Sequence, residues 1–287
     1  LQGMSEMLQK MGITVNAYLP AADLQTIKKA PRAALNIVRR KKWALAMEQR
    51  FGTPFLHVAD MQEWHGIEGI SDLYRQIGKM LGCDNAVERV LQEEYERVAA
   101  RYQELGADFA KYKFCLIAHG IAYLPDALRV YQQDYGLPIT KICIIMNPSY
   151  QAETGLDDAM MQRFKDRIEL AKAEYGCDAE ILLEPSEDAL REAAQSCDFV
   201  ICNGHPRYAA LDVPVLYNLF DRSVWSYQGF VDIMEEVWQM LQQPQRTGSN
   251  LLLSKLAYDP VFYPMREADK DSKASRELYS RVWRQRK

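Results

Sequence analysis

Phe114-Cys-Leu-Ile-Ala-His119-Gly120, Lys141-Ile-Cys-Ile-Ile-Met146 and Asp198-Phe-Val-Ile-Cys-Asn-Gly204 decide the fold. Each is a short, nearly continuous apolar run that stops at a Gly, Asn or Pro. Runs of this length and β-branched content predict strands covered on both faces, the condition of a parallel sheet. Glu180–Leu183 and Val215–Asn218 read the same way, so residues 111–242 predict five strands with amphipathic helices between them. Upstream, Thr14–Tyr18, Leu35–Val38 and Phe55–Val58 alternate with helical stretches over residues 1–82. Strand–helix alternation at this spacing predicts an α/β fold: two Rossmann-like, doubly wound parallel-sheet domains.

A long helix over about Ala86–Leu105 joins the two. Its apolar positions Val87, Leu91, Tyr95, Val98, Tyr102 and Leu105 step along one helical face. Asn85 followed by Glu88 predicts a capping box at its start. The expected domains are therefore 1–84 (Rossmann-like, cut short at its amino end), 85–110 (linking helix), 111–245 (the second Rossmann-like domain) and 246–287 (linker and carboxy-terminal tail). The two blocks also echo each other. Phe51-Gly-Thr-Pro54 and Leu211-Asp-Val-Pro214 each open a strand with Pro, and Gly66-Ile-Glu-Gly-Ile70 and Tyr227-Gln-Gly-Phe230 each lead into a helix.

The 287 residues carry 35 Lys and Arg against 39 Asp and Glu, a net charge of −4. That balance gives no basic footprint for nucleic acid or an anionic membrane. No apolar run is long enough to span a bilayer. The chain opens on Leu1 with no legible signal peptide, so an internal start in a longer, cytoplasmic parent is expected. The six cysteines form no CxxC pair and mostly sit in apolar runs, which predicts reduced, structural thiols and no metal site.

Ligands of open α/β sheets bind beyond the carboxyl ends of the strands, at helix N-termini. Four loops there carry candidate chemistry. Arg39-Arg40-Lys41-Lys42 puts cations where the helix dipole disfavours them, as an anion site would. His119-Gly120 ends a strand with an acid–base side chain and a permissive backbone. Asn203-Gly204-His205-Pro206-Arg207-Tyr208 combines a turn with His and Arg, and Asp60-Met-Gln-Glu-Trp-His-Gly66 offers Glu63 and His65 before a Gly-led helix. Arg39, Arg40, His119, His205 and Arg207 are the candidate polar cleft groups, with Gly66, Gly120 and Gly204 for close backbone approach. Against each stands a plain structural alternative: a solvated basic loop, a locally bonded histidine, an ordinary turn. GxGxxG, P-loop, HExxH and GxSxG motifs are absent.

Phe51-Gly-Thr-Pro-Phe-Leu-His-Val58, the Gly66–Gly82 stretch, the long helix, Asp198–Gly204, Val213-Pro214 and Tyr227-Gln-Gly-Phe230 together, in that order, resemble nitrogenase component 1-type subunits. The resemblance covers roughly residues 1–242 and is nearest to the scaffold subunits of iron–molybdenum cofactor assembly. It implies three Rossmann-like domains in a full subunit and pairing with a homologous component 1-type subunit. It also implies reduction by an ATP-dependent iron protein, and an iron–sulfur cluster or metallocofactor. The family's cluster-binding first domain is expected to be absent here, so such a group would be held with that missing domain or with a partner. Two departures matter. Leu35–Lys42 lacks the cofactor-anchoring Cys of the catalytic subunit, and Val215–Ser226 lacks its His. Dinitrogen reduction by this chain is therefore not expected. A two-lobed small-ligand receptor and a nucleotide-sugar glycosyltransferase or epimerase are the rival readings of the same layout.

Overall fold

A computed structural model describes residues 2–19, 23–58, 63–120, 124–146, 157–202, 208, 211, 213–217 and 224–242. The chain divides into two compact units. Unit 1 is Leu1–Gln103 with Phe220–Ile233, and unit 2 is Glu104–Leu219 with Met234–Lys287.

Unit 1 begins with α1 (Gln2–Lys10) and the short α2 (Leu24–Lys29), which Asp23 caps by accepting the Thr26 N–H. A parallel two-stranded sheet follows, β1 (Asn36–Val38) beside β2 (Phe55–His57), with α3 (Lys41–Phe51) as the crossover. Gly52 closes α3 in the left-handed conformation at φ 71°, a position that glycine takes without steric cost. Then come α4 (Gly66–Leu81) and α5 (Asp84–Phe109), the latter running across the unit boundary. Buried Ile70, Leu73, Tyr74 and Ile77 recur every three or four residues along α4 and give it its core-facing stripe. Residues 220–233 complete the unit. The Tyr227 hydroxyl meets Ser71 Oγ at 2.7 Å, and Tyr74 donates to the Trp225 carbonyl at 2.5 Å.

Two expectations change here. Among the described residues, Thr14–Tyr18 pairs with no strand. Its burial alternates only from Thr14 to Ala17, and side chains hold it: Asn16 donates to the Lys29 carbonyl, and the Tyr18 hydroxyl meets Ser5. The capping box also dissolves. The helix already starts at Asp84, and the Cys83 carbonyl accepts the N–H groups of Ala86 and Val87, so Asn85 lies within the first turn. Glu88 instead bonds Arg75 of α4 at 2.8 Å, which holds its carboxyl below the usual range. Both partners are largely exposed, so this pair contributes under about 1 kcal/mol.

Unit 2 is built on a five-stranded, all-parallel sheet: β3 (Phe114–His119), β4 (Ile139–Ile145), β5 (Glu180–Leu183), β6 (Phe199–Cys202) and β7 (Val215–Tyr217), in spatial order β5-β4-β3-β6-β7. From β3 the chain winds outward through β4 to β5, then crosses back to lay β6 on the other side of β3. This is the doubly wound order of a Rossmann-like sheet. The connections are α6 (Leu124–Leu128) running into a π-turn (Arg129–Asp134), α7 (Asp158–Glu174) and α8 (Glu187–Gln195), and α9 (Tyr227–Gln242) ends the described chain. Residues 114–118 are all buried because helices cover the central strand on both sides. Edge strand β5 is exposed at both ends and half-buried between, and its Glu180 pairs with Lys141 of β4.

The Pro-opened strands share one device. Pro54, Pro138 and Pro214 each precede a strand, and each carbonyl accepts the first ladder N–H of a neighbouring strand: Asn36 at 2.9 Å, Phe114 at 3.1 Å and Val200 at 2.9 Å. A residue with no N–H to donate thus opens a strand without leaving a donor orphaned.

Candidate functional site

Winding direction in unit 2 reverses between β3 and β6, so the crevice at their carboxyl ends is the topological switch point. His119 is the last residue of β3. Its ring Nε2 is 2.7 Å from the hydroxyl of Tyr208, which follows β6, and the two rings meet edge to face with centroids 5.6 Å apart. His119 is half-buried and Tyr208 fully so, so the tyrosine is the fixed member and the histidine the one that reaches outward. Gly120 follows at φ 106°, its N–H bonded to the Ile145 carbonyl at 3.0 Å. A Cβ there would meet nothing within 4 Å, so it is the backbone conformation and not crowding that calls for glycine.

The same edge of the sheet carries Glu184, just beyond β5. Its φ of 48° puts a non-glycine residue in the left-handed region. Two bonds hold it there: its N–H reaches the Ile144 carbonyl at 2.8 Å, and its carboxylate accepts the Met146 N–H. This edge therefore combines an oriented imidazole, an open backbone at Gly120 and a backbone locked at Glu184. An imidazole so placed can hold a proton, donate to an anion or coordinate a metal.

In unit 1, Arg39 and Arg40 follow β1, and Gly66 opens α4 after β2. Arg39 and Arg40 lie at the carboxyl edge of the two-stranded sheet, and Gly66 stands nine residues beyond the end of β2. Arg39 and Arg40 are exposed; Arg40 occupies the N-cap of α3 with no side-chain capping bond, and the first turn carries no acidic residue. Gly66 has φ 81°, a turn that a side chain would strain. His65, in contrast, is buried, its ring edge-on to Phe230 with centroids 5.7 Å apart, so it serves the core of unit 1. His119 and Gly120 belong to unit 2. Gly204, His205 and Arg207 lie outside the described residues.

Two residues of this edge escaped the sequence reading. Tyr208 stood in a quoted loop but was not chosen, because its bond to His119 depends on β6 lying beside β3. Glu184 had one legible signal: it precedes Pro185, where helical backbone is disfavoured.

The chain matches the family described as nitrogenase component 1 type oxidoreductase over residues 1–242. Among curated proteins, none matches it. Among solved structures, it resembles a nitrogenase Cp1 chain at pH 6.5, with 15% identity and a TM-score of 0.57 over 85% of this chain and 56% of that one. It likewise resembles nitrogenase Cp1 at pH 5, with 16% identity and a TM-score of 0.58 over 91% of this chain and 56% of that one. At such identities the likeness is one of fold. The chain spans just over half the length of these structures.

Proposed function

Because the chain belongs to the nitrogenase component 1 type oxidoreductase family, we propose that it serves as a component 1-type subunit. It acts either as a diverged reductase subunit or as a scaffold on which a metallocofactor is assembled. The observation that carries this reading is the Tyr208-held His119 at the switch point of the unit 2 sheet. It is the place where open α/β sheets receive ligands, furnished with a group that can bind one.

An iron–sulfur cluster or metallocofactor does not fit the described residues by themselves. No three His, Cys, Asp or Glu side chains among them gather as a metal site requires, and five of the six cysteines are buried. In this proposal the group is held together with a homologous component 1-type subunit or a further domain, and no electron step runs through this chain's cysteines. His119 would hydrogen-bond a polar edge of the group, and Gly120 would let the backbone approach it. Within unit 1, Arg39, Arg40 and Gly66 are proposed to bind an anion, and Gly204, His205 and Arg207, which follow β6 in sequence, are proposed as further ligand-binding groups. The missing Cys in Leu35–Lys42 favours a scaffold or another substrate over dinitrogen. The setting is cytoplasmic, with an ATP-dependent iron protein as reductant. Among the described residues, no helix is long and apolar enough to cross a membrane.

The test is anaerobic co-purification with homologous component 1-type subunits, read by iron content and visible absorption. Complex formation with iron-linked absorption that weakens in His119→Ala is the expected result. A colourless, iron-free protein that binds no such subunit overturns the proposal.

A further inference from the structure

Charge in this chain is nearly balanced overall but segregated by segment. Residues 23–54, which carry α2, β1 and α3, hold eight Lys and Arg against Asp23 and Glu48, a local charge of +6. Residues 174–192, which include edge strand β5, hold seven Asp and Glu against Arg191, a local charge of −6. Elsewhere cations find acids nearby, as Lys10 does in Glu94 and Arg75 in Glu88. Among the described residues, none of the eight cations in 23–54 is in an ion pair.

The basic segment is also where apolar side chains stand in water. Of the eight large apolar side chains exposed among the described residues, five fall between Leu19 and Phe51, so this surface is amphipathic and not merely charged. On α3, Ala44 is the buried position. Trp43, Met47, Arg50 and Phe51, at steps of four, three and one, share another side of the helix. Trp43 is 64% and Phe51 47% exposed, and the Arg50 guanidinium lies over the Phe51 ring, 5.4 Å from its centre. Aromatic residues, Met and Arg are the types that protein interfaces concentrate at their centres, inside a polar rim. Lys41 and Lys42, in the first turn of α3, supply such a rim.

We propose that this face of α3 docks on the acidic edge of unit 2 in a second copy of the chain. Charge supplies the match. Glu174, Asp178, Glu180, Glu184, Asp188 and Glu192 are all exposed, on β5 and the segments that flank it. Among the described residues, the outer edge of β5 pairs with no strand, and Leu183 on it is 39% exposed. An open strand edge is a surface that proteins cover or charge, and a helix bearing Trp43 and a basic rim complements both its apolar and its acidic parts. The contact joins unlike faces, so it is heterologous, and copies add head to tail. It is additional to the ligand-binding role proposed for His119, and its groups are different ones.

Sedimentation equilibrium of the full chain tests this. The average mass should rise at least about two-fold with concentration at about 50 mM salt, and return to that of one chain at about 500 mM, where exposed charges are screened. Lys41→Glu with Lys42→Glu should abolish the rise, and so should Glu174→Lys with Glu192→Lys. Lys41 and Lys42 open α3, while Glu174 and Glu192 lie in the last turns of α7 and α8. Each substitution therefore places a charge that its helix dipole favours, so neither double variant loses association by unfolding. Mixing the two double variants should restore association, because the intact acidic edge of one meets the intact α3 of the other. Arg39, Arg40 and His119 are untouched, so failure here leaves the ligand reading standing. A one-chain mass at every concentration in low salt overturns the proposal, and flotation of that single chain with phosphatidylglycerol vesicles would assign the α3 face to lipid instead. Association that either double variant keeps also overturns it.

Discussion

At His119 a hydrogen bond orients the ring: Nε2 meets the Tyr208 hydroxyl at 2.7 Å. Tyr208→Phe removes that bond and keeps the packing. It should lower the stability of unit 2 by about 1 kcal/mol, read as a lower urea midpoint with an unchanged slope. An unchanged midpoint would mean that the bond contributes nothing to stability. The histidine was legible in the sequence because a strand visibly ended on it. Its partner was not, since 89 residues separate the two and only the strand order brings them together. The cysteines divide in the same way. Burial was readable from their apolar neighbours, but the meeting of Cys115 with Cys143 required the register.

Among the elements, α4 is the most tightly constrained. A Cβ on Gly69 would stand 2.5 Å from the Glu63 carbonyl oxygen and 2.8 Å from the Trp64 carbonyl carbon, both backbone atoms that cannot rotate aside. Alanine in a helix interior gains about 1 kcal/mol over glycine. Overpacking against fixed atoms costs roughly 1–3 kcal/mol and wins here. Gly69→Ala should therefore destabilise unit 1, measurable by thermal unfolding, where propensity alone predicts the opposite sign. The helices and the five strands of unit 2 were legible because periodicity and β-branched runs are local signals. Thr14–Tyr18 and the Asn85 cap misled for a related reason: alternation and cap spacing are also local, whereas a ladder needs a partner strand and a helix start depends on which carbonyls accept first.

For the molecule as a whole, the division into units makes a claim about stability. Phe230 is wholly buried and packs on His65 and on Tyr102, with ring centroids 5.7 Å and 6.3 Å away, all within unit 1. Truncating such a residue costs about 3–5 kcal/mol, a large share of a typical domain's 5–15 kcal/mol. In Phe230→Ala, limited proteolysis should degrade residues 1–103 first while a fragment from 104 onward persists. Simultaneous loss of both would show that the units unfold as one. The Rossmann-like class was readable from the alternation alone. That unit 1 borrows residues 220–233 was not, because a discontinuous unit has no signature along the chain.

That borrowing has a consequence during synthesis. The segment that seats Tyr227 against Ser71 and Phe230 against Tyr102 leaves the ribosome only after more than a hundred residues of unit 2 have been made. At about 5–20 residues per second, the nascent amino-terminal unit waits on the order of 5–20 s with an apolar face uncovered. Translation therefore imposes an order of assembly: the later-made sheet can close first, and the first-made unit is finished last.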